Sequence, residues 1–591
     1  MKPDRMTAIL SVRMEENAMT VMENYQAWLA MAADEPALMS ELEAVRDQPE
    51  GIEDRFYTEL SFGTAGMRGV LGAGTNRMNI FNVRRLSAGL ADYVKNLPGG
   101  AERGIVIGFD SRRMSPEFAR EAALVFAARG VKAMLFDALR PVPIVSYAVR
   151  HLNAIAGVVI TASHNPPQYN GYKVYAEDGA QVGPGMAKGI SDLVFSLPYS
   201  ACQPMDESEA QKSGLLTSIG DKEVDDSYIK MVLGLLITPE LVRERGKDLK
   251  IVYTPLHGSG NIPVRRALKE AGIVNVTVVP EQELPDPDFS TVSAPNPEDP
   301  NAFRLAIPLA GQVGASVIFG TDPDCDRLGV CVRDGEGVYR TLSGNQIGCL
   351  LLHHVLEGRR RAGTLPRNGA VCKSIVSTGM ARSICEGYGV KLFDTLTGFK
   401  YIGEKIQQFE ESGEYSFLFG FEESFGYLSG TSVRDKDGVN ASLLIAEAAC
   451  ACMAEGITLY DRLQELYREF GYYHEDVLSI TLPGKEGLEN MKVLMKRLRE
   501  EPLKEVAGMP VKAALDYLKG IRTEDGRQEK LDYPSSDVLF YELEGGHWCC
   551  VRPSGTEPKI KVYVNTHSAR GMEQARALGA KVMDDMKRLL K

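Results

Sequence analysis

The chain has 591 residues, which is too many for one hydrophobic core and suggests about three to five domains. Its contents of 44% hydrophobic and 25% charged residues are ordinary for a soluble globular protein, and its formal net charge is −12. This acidic balance argues against nucleic acid as the main partner, because phosphate backbones select basic surfaces. Small anionic substrates are not excluded, since they need only a locally basic pocket.

The sequence shows no sign of export or membrane insertion. The N-terminal stretch MKPDRMTAILSVRMEEN carries charges throughout and lacks the apolar region of a secretory signal. No apolar run is long enough to span a bilayer. The ten cysteines are scattered without a C-x-x-C pair, so neither a zinc site nor a disulfide framework is indicated. We therefore expect a cytoplasmic protein.

The N-terminal part is predicted to be helical. Residues 15–60 read as helix, and Val21, Tyr25, Trp28 and Leu29 fall on one face of it. This pattern predicts an amphipathic extension that packs against the domain after it.

The rest of the chain alternates strand and helix signals. Helical segments such as 115–130, with Ser115 predicted as N-cap and Pro116 at the first helical position, separate short apolar runs. The alternation predicts α/β layers with functional loops at the carboxyl ends of strands. The apolar runs are 105–107, 158–160, 251–253, 316–319 and 417–419, and the turn-rich candidate boundaries lie near 200–222, 334–345 and 470–486.

The stretch TASHNPPQYNGYKVY places Ser163 in a stiff loop. Pro166-Pro167 removes two backbone donors, and Asn170-Gly171 is predicted to be a tight turn that returns Lys173 to the side of Ser163. A Ser-His-Asp hydrolase is not indicated, because there is no G-x-S-x-G elbow and a catalytic histidine normally comes from elsewhere in the chain. The other interpretation of the stretch is a rigid surface turn.

The stretch GTDPDCDRLG predicts a metal site. Asp322, Asp324 and Asp326 follow an apolar run and would share one face of an extended backbone. Three carboxylates so close together repel one another unless a cation lies among them, which favours Mg²⁺ over a solvated acidic turn. An EF-hand is excluded, since Arg327 and Arg333 stand where its glycine and glutamate belong. Arg327 is suited to hold a phosphate.

Two further loops offer ligand-binding groups. GFEESFGY carries Glu422 and Ser424, which can bind sugar hydroxyls or simply cap a helix, and the downstream RDKDG adds Lys436. VRPSGTEPKIKVY predicts a phosphate nest or, alternatively, an ordinary turn before a strand; its candidate groups are Arg552, Ser554, Gly555, Thr556 and Lys559. A nucleophile, a metal, hydroxyl-binding groups and a phosphate cradle together predict a phosphorylated sugar as ligand.

The ordered motifs TASHNPP, GTDPDCDR, GFEES and RPSGTEPK resemble the four signature loops of the α-D-phosphohexomutase superfamily. The resemblance covers nearly the whole chain. The stretch EDRFYTELSFGTAGMRGVLGAGTNRMN is similar to the phosphoglucomutase/phosphopentomutase branch. The fold that this implies is α/β, with three similar α/β sandwich domains with mixed sheets plus a smaller α+β C-terminal domain, around a central cleft. The implied divisions are a helical extension at 1–55, a phosphoserine domain at 56–210, a metal-binding domain at 211–340, a sugar-binding domain at 341–472 and a phosphate-binding domain at 473–591.

The resemblance also implies roles for the candidate residues. Ser163 would be a phosphoserine that gives a phosphoryl group to the substrate and later recovers one. An oxygen of phosphorylated Ser163 and the three aspartates Asp322, Asp324 and Asp326 would hold one Mg²⁺ per chain. Arg68 and Arg327 would clamp the transferred group.

The proton-transfer candidates are Lys173, with His164 supporting its loop, and Lys436, which resembles a lysine of the glucomutases. Thr397, Glu422 and Ser424 would bind the sugar. The phosphate that is not transferred would be held by Arg552, Ser554, Gly555 and Thr556, with Lys559 adding charge.

The implied activity is the interconversion of glucose 1-phosphate and glucose 6-phosphate through a hexose 1,6-bisphosphate. The expected partners are small sugar phosphates, without nucleic acid or membrane, and the expected state is a monomer or weak homo-oligomer.

The sequence departs from the family pattern at two positions that concern recognition of the sugar. Gly426 stands where mannose-accepting relatives often have histidine, and Phe421 is inserted before Glu422, which is predicted to reshape the sugar pocket.

Four alternatives stay open. A phosphopentomutase, a phosphomannomutase and a hexose-bisphosphate synthase would use the same residues. An inactive binding or regulatory relative is disfavoured, because Ser163 and the three aspartates are all present.

Overall fold

The computed structural model describes residues 20–63, 66–481, 484–553 and 559–590. By their internal contacts these residues form two compact units. Unit 1 holds the residues up to Tyr228 together with Leu256–Ser259 and Leu284–Asn296. Unit 2 holds Ile229–Pro255, Gly260–Glu283 and the residues from Pro297 onward.

Unit 1 begins with three helices that pack on the first sheet domain. Thr20 and Glu23 form a capping box, each side chain accepting the other residue's backbone N–H, so the first helix of the described residues begins at Val21. Trp28 is buried and packs edge-on against the ring of Phe81, 5.5 Å away. The helical prediction and the buried face are thus confirmed within the described range. The helices are α1 (Val21–Met31), α2 (Pro36–Ala44) and α3 (Pro49–Phe56).

A six-stranded mixed sheet forms the centre of unit 1. Its strands are β1 (Gly66–Val70), β2 (Ile105–Phe109), β3 (Ala133–Phe136), β4 (Ala156–Ile160), β5 (Tyr169–Ala176) and β6 (Leu216–Ile219), in the order β1-β5-β4-β2-β3-β6. β2 is parallel to β3 and β4, whereas β4 and β5 are antiparallel. Every residue of β2 and β4 is buried, as expected of central strands covered by helices on both faces.

The helices of this domain are α4 (Ile80–Val94), α5 (Gly100–Arg103), α6 (Ser115–Ala128), α7 (Val142–His151), α8 (Pro184–Ser196), α9 (Glu207–Lys212) and α10 (Asp221–Leu233). The predicted N-cap of α6 is wrong. Met114 is the N-cap, with φ of 65°, and Ser115 is already helical. The Ser115 hydroxyl donates instead to Asp110 Oδ1, 2.8 Å away.

Unit 2 contains two further mixed sheets. The second sheet has the strands β7 (Lys250–Thr254), β8 (Asn275–Val278), β9 (Val317–Thr321), β10 (Leu328–Arg333) and β11 (Tyr339–Thr341), in the order β11-β10-β9-β7-β8. The third has β12 (Gly369–Ser374), β13 (Lys391–Thr395), β14 (Ser416–Glu422) and β15 (Gly426–Ser429), in the order β13-β12-β14-β15.

The helices around these sheets are α11 (Pro239–Arg245), α12 (Asn261–Ala271), α13 (Pro280–Glu283), α14 (Ala306–Val313), α15 (Gly344–Arg361), α16 (Met380–Tyr388), α17 (Lys400–Ser412), α18 (Gly438–Ala454) and α19 (Leu459–Phe470). Nearly all of α18 is buried. Within the described ranges no single helix has the length and apolarity of a membrane span. The pair α18 and α19, bent by 85°, passes that test only when the two are taken together.

The C-terminal domain of unit 2 is an antiparallel sheet with two helices. Its path is β16-β23-β22-β21-β18-β19-β20, and β17 pairs with β18. The strands are β16 (Tyr472–Thr481), β17 (Glu505–Val506), β18 (Met509–Asp516), β19 (Ile521–Glu524), β20 (Arg527–Lys530), β21 (Leu539–Leu543), β22 (Trp548–Pro553) and β23 (Lys559–Ser568), and the helices are α20 (Gly484–Glu500) and α21 (Met572–Leu589).

The first three sheets repeat one four-stranded arrangement. The first strand of each repeat (β2, β7 or β12) lies between the second and third strands and is parallel to both. The third strand also pairs with the fourth strand of the repeat, which is antiparallel to it. The prediction of three similar mixed-sheet domains plus a different C-terminal one is confirmed. The exact domain boundaries and the central cleft stay predictions.

Candidate active site

The predicted nucleophile, metal acids and sugar-binding glutamate lie at the same place in the three repeats. Ser163 and the three aspartates lie in the connection between the third strand of their repeat and its antiparallel fourth strand, and Glu422 is the last residue of the corresponding third strand, β14. We name these the serine loop (161–168), the aspartate loop (322–327) and the glutamate loop (422–425). Each contains one non-glycine residue with positive φ: Ser163 at 53°, Cys325 at 50° and Phe425 at 66°. Such backbone is uncommon and concentrates at functional turns.

The serine loop holds Ser163 by its backbone. The Ser163 N–H donates to Thr161 Oγ1, 2.8 Å away, and the residue is 7% exposed. Its Oγ lies 3.1 Å from His164 Nδ1, so the two neighbouring side chains do meet. The predicted turn at Asn170-Gly171 is wrong, because both residues lie inside β5 and the chain reverses within the loop itself.

Arg68 and Lys173 lie on the two strands beside this loop. β1 pairs with β5 so that Arg68 stands opposite Gly171 and Lys173 opposite Gly66. The Arg68 guanidinium donates to Asn165 Oδ1 in the serine loop, 3.2 Å away. Arg68 is therefore tied to the loop that carries Ser163. Lys173 is half-buried on β5.

Two buried charged residues that the sequence did not mark as functional lie behind the serine loop. Asp110 and Arg112 follow β2 and are each 1% exposed. The Arg112 guanidinium donates to backbone carbonyls of the loop, and Asp110 Oδ2 accepts the hydroxyl of Thr161, 2.6 Å away. The only sequence signal was charged residues directly after an apolar run, which also describes an ordinary surface loop.

The aspartate loop brings its three carboxylates together. One oxygen from each of Asp322, Asp324 and Asp326 lies within 4.8 Å of the others, and none of the three residues is more than 1% exposed. The predicted clustering is found, but the reason given for it was wrong. The loop is a turn with Cys325 in the left-handed region, so the side chains converge by chain reversal and not by alternation along a strand.

Electrostatics make this cluster costly without a cation. Burial raises the pKa of Asp322 well above its ordinary value, and repulsion from Asp324 and Asp326 raises it further. The set consists entirely of hard oxygen donors, as Mg²⁺ and similar cations require. These three residues therefore fit a divalent cation.

Arg327 lies next to the acids and is linked to the third repeat. Burial acts to lower the pKa of its guanidinium, but the carboxylates of Glu298 and Asp326 raise it above the ordinary value. The guanidinium forms an ion pair with Glu298. Backbone bridging between Arg327 and Gly426 joins the aspartate loop to the start of β15, directly after the glutamate loop.

Lys436 reaches the metal acids from beyond β15. Its Nζ lies 3.1 Å from Asp326 Oδ2 and 3.0 Å from Asp435 Oδ1, and the residue is 9% exposed. The side chain passes directly over Gly426, where a Cβ would lie 2.2 Å from Lys436 Cδ. Any side chain at position 426 would therefore clash with Lys436 in its present position.

Glu422 is buried at the end of β14. Burial, with repulsion from Glu423, raises the pKa of its carboxyl to about 7, although Lys436 acts in the opposite direction. Its Oε1 accepts the Gly398 N–H at 2.7 Å, which orders the loop that carries Thr397. The buried Thr397 Oγ1 has no hydrogen-bond partner among the described residues.

The residues next to Glu422 in the chain make different contacts. Phe421 points into the core, where it contacts Gly348 of α15 and stacks on Phe419. The predicted reshaping of the sugar pocket by Phe421 is therefore not supported. The Glu423 carboxylate accepts the hydroxyl of Ser374 at 2.7 Å, and Ser424 is half-buried in the turn.

The phosphate nest is described only at its edges. Arg552 is half-buried near the end of β22, and Lys559 is the first residue of β23. β22 and β23 are paired neighbours. The predicted phosphate contacts of Ser554, Gly555 and Thr556 lie outside the described residues.

The predicted site residues fall into two groups, one in each unit. Those in unit 2 are Asp322, Asp324, Asp326, Arg327, Lys436, Thr397, Glu422 and Ser424. Those in unit 1 are Arg68, Ser163, His164 and Lys173.

Comparison with known families matches most of the chain. The four domain families are described as phosphoglucomutase/phosphomannomutase alpha/beta/alpha domains I, II and III and the corresponding C-terminal domain. They match residues 59–199, 226–335, 343–470 and 492–580.

Curated relatives agree with this match. A phosphoglucomutase of Staphylococcus epidermidis is 39% identical over 523 residues, which cover 88% of this chain and 92% of that protein. A phosphoglucomutase of Staphylococcus aureus is 37% identical over 526 residues, with coverage of 88% and 92%.

Solved structures show the same fold. Parafusin, a phosphoglucomutase of Paramecium in its open form, matches with a TM-score of 0.65 at 18% identity, over 90% of this chain and 96% of its own. A phosphoglucomutase/phosphomannomutase family protein of Burkholderia thailandensis matches with a TM-score of 0.63 at 19% identity and the same coverage. The chain therefore belongs to the phosphoglucomutase/phosphomannomutase family of the α-D-phosphohexomutase superfamily.

Proposed function

We propose that this protein is a phosphoglucomutase that interconverts α-D-glucose 1-phosphate and D-glucose 6-phosphate through an enzyme phosphoserine and a glucose 1,6-bisphosphate. The observation that carries the proposal is the shared position of three chemical parts. A nucleophilic serine, a buried carboxylate triad and a buried glutamate lie at, or directly after, the end of the third strand in three repeated sheets. Phosphoryl transfer to a sugar hydroxyl needs these parts and no hydrolytic triad.

The transfer itself belongs to Ser163. In the first half-reaction the Oγ–P bond of phosphorylated Ser163 breaks and the free hydroxyl oxygen of the sugar phosphate bonds to phosphorus. In the second half, the Ser163 oxygen attacks the other phosphate of the bisphosphate, and the released sugar oxygen takes up a proton. Arg68 and Arg327 balance the charge of the group in transfer.

Two lysines are the proposed proton carriers. Lys173 accepts the proton of the attacking sugar hydroxyl in one half-reaction and returns a proton to the leaving oxygen in the other. Lys436, held 3.1 Å from Asp326, is the second candidate for this exchange. His164 contacts the Ser163 hydroxyl and holds it in place.

One Mg²⁺ would be held by Asp322, Asp324 and Asp326 with an oxygen of phosphorylated Ser163, and when bound it would supply Lewis-acid charge neutralisation. Glu422 and Ser424 accept or donate hydrogen bonds to sugar hydroxyls, together with the hydroxyl of Thr397. Arg552, Ser554, Gly555, Thr556 and Lys559 would bind the phosphate that is not being transferred.

The test compares kcat/KM for glucose 1-phosphate, mannose 1-phosphate and ribose 1-phosphate with purified protein and Mg²⁺. We expect glucose 1-phosphate to be the best substrate and a Ser163→Ala variant to lose at least about 1,000-fold in kcat. A clear preference for ribose 1-phosphate would overturn the assignment in favour of a phosphopentomutase. Net formation of bisphosphate without isomerisation would indicate a synthase instead.

A further inference from the structure

One buried arginine, Arg112, forms hydrogen bonds with several backbone carbonyls of the serine loop. The Arg112 guanidinium donates through one nitrogen to the carbonyl oxygens of Ser163 and Asn165, both at 2.5 Å. Through the other it donates to the carbonyls of Pro166 and Tyr169, at 3.0 and 3.2 Å. A guanidinium presents its N–H groups in a rigid planar fork. Three carbonyls of the serine loop and that of Tyr169, the first residue of β5, are thereby fixed relative to one rigid group.

Asp110 completes this network from the other side. Its Oδ2 lies 3.3 Å from Arg112 Nε and accepts the Thr161 hydroxyl, while its Oδ1 accepts the Arg112 N–H and the Ser115 hydroxyl. Thr161 in turn accepts the N–H of Ser163. Both the N–H and the carbonyl of Ser163 are thus bound by one connected set of buried groups.

Ser163 depends on these contacts because of its backbone conformation. Its φ of 53° lies in the left-handed region, which a serine adopts only where its surroundings hold it. The direction of the Ser163 Oγ follows from that backbone. Loss of the Arg112 contacts would leave the loop free to relax and would turn the Oγ away.

Arg112 is itself held by a segment from a distant part of the chain. The ring of Phe289 lies 4.9 Å from Arg112 Cζ, in cation–π geometry, and Phe289 is fully buried. The neighbouring residues Asp288 and Arg113 form an ion pair. Phe289 belongs to Leu284–Asn296, which follows β8 in the chain but makes its contacts within unit 1.

Contacts within the segment and with His257 hold its residues 284–291. Asp286 accepts the N–H groups of Asp288 and Ser290, each at 2.9 Å, which shapes the turn that presents Phe289. His257 Nδ1 lies 3.1 Å from the Leu284 carbonyl. Its Nε2 lies 2.9 Å from the hydroxyl of Thr291.

We infer that Arg112 is a positioning residue for Ser163 and that Phe289, reaching in from the chain of the second repeat, holds Arg112 in place. The inference rests on the proposed role of Ser163 as phosphoryl carrier. It assigns to the 284–296 segment a part in the reaction although none of its residues need touch substrate. A displacement of about 1 Å at a reacting group lowers the rate on the order of 100-fold. Loss of the contacts that position Ser163 is therefore expected to have a measurable effect on kcat.

The experiment uses the full chain with three single variants and the double variant Arg112→Lys/Phe289→Leu. Arg112→Lys keeps the charge but loses the fork, Phe289→Leu keeps an apolar side chain but loses the ring face, and Phe126→Leu is the matched control from the buried core of unit 1. Each is assayed for kcat and KM with glucose 1-phosphate. Amide hydrogen exchange is measured for residues 161–171.

We expect Arg112→Lys to lower kcat about 100-fold and Phe289→Leu about 10-fold, with KM within about threefold of the wild type. Exchange in 161–171 should rise in both variants and stay unchanged in Phe126→Leu. The double variant should be no slower than Arg112→Lys alone, since both changes act on one contact. If Arg112→Lys does not fold, Phe289→Leu still gives the result.

Unchanged kcat and unchanged exchange in Phe289→Leu would overturn the inference, as would equal losses in Phe126→Leu. The exchange arm also separates this inference from the proposed function. If the wild type proves inactive on sugar phosphates while exchange rises in the two variants alone, the proposed function fails and the positioning of the loop stands.

Discussion

The side chains of Lys436 and Asp326 meet 3.1 Å apart because residue 426 has no side chain of its own. Gly426 carries no strained backbone, so its role is one of space and not of conformation. The departure from histidine at this position therefore has a steric consequence. Glycine at 426 is therefore required for the observed placement of Lys436.

We predict that Gly426→Ala displaces Lys436 and lowers kcat/KM roughly 10- to 100-fold, because the buried ammonium is moved away from Asp326 and from the place that the proposed proton exchange requires. The measurement is steady-state kinetics with glucose 1-phosphate. Gly311→Ala is the control, since no atom lies within 4 Å of a Cβ built on Gly311, and its activity should equal that of the wild type. Full activity in Gly426→Ala would mean that Lys436 does not need its observed place.

The aspartate cluster leads to a prediction about metal affinity. Asp324→Asn removes one of the three anionic ligands, so Mg²⁺ binding measured by titration calorimetry should weaken at least about 10-fold. Without metal the same variant should unfold at a higher temperature than the wild type, because one source of carboxylate repulsion is gone.

Asp334→Asn is the matched control for this metal prediction. Asp334 caps the turn between β10 and β11, where it accepts the Val338 N–H, and it lies outside the triad. Its variant should bind Mg²⁺ as the wild type does. Equal Mg²⁺ affinity in Asp324→Asn and the wild type would exclude Asp324 as a ligand.

Among the helices, α18 connects several elements of unit 2 through one buried carboxylate. Glu447 is fully buried and accepts the N–H of Ile237 at 2.8 Å and the hydroxyl of Thr238 at 2.9 Å, just before α11 begins. His354 of α15 lies 3.1 Å away. Burial acts to raise the pKa of Glu447, but His354 and Thr238 hold it below the ordinary value.

A depressed pKa in the folded state makes Glu447 stabilising above its unfolded pKa of about 4.3, and this contribution is lost as pH falls through the folded value. Glu447→Gln should therefore destabilise unit 2 by about 1–3 kcal/mol at pH values near 7, and by less near pH 4. Urea unfolding followed by circular dichroism at several pH values checks this.

The control for this stability prediction is the exposed Glu505→Gln on β17, which should unfold as the wild type does at every pH. An equal loss of stability for Glu447→Gln at neutral and acidic pH would show that the charge of Glu447 is not the source of the effect.

At the scale of the whole chain, one strand arrangement is used three times and each copy supplies one chemical part. The alternation of apolar runs and helical segments was enough to predict the α/β layers. The repetition was expected only from the family resemblance, and the pairing of the strands shows it directly. Similar connections in similar sheets let a serine, three aspartates and a glutamate be presented by the same kind of turn.

Much of the site could be predicted from residue types and their spacing. Three aspartates within five residues imply a cation whatever their backbone, which is why the cluster was found although its extended geometry was wrong. Asn170-Gly171 was misread because a sequence that favours turns was overridden by pairing with β1 and β4.

The contacts that could not be predicted join residues far apart in the chain. Arg112 and Phe289 are separated by more than the length of a domain repeat, and neither residue alone suggests a function. The steric match of Gly426 with Lys436 was also beyond reach, because it depends on the path of one side chain over a strand. Local chemistry is readable from sequence, whereas contacts between distant loops require the fold.

The central claim is that Ser163 carries a phosphoryl group, and peptide mass mapping of the purified protein tests it most directly. We predict one phosphoryl group on Ser163, its replacement by label when the protein turns over with isotopically labelled glucose 1,6-bisphosphate, and its absence from an inactive Ser163→Ala variant. An active wild-type protein that carries no exchangeable phosphoryl group on Ser163, or carries it on another residue, would contradict the account.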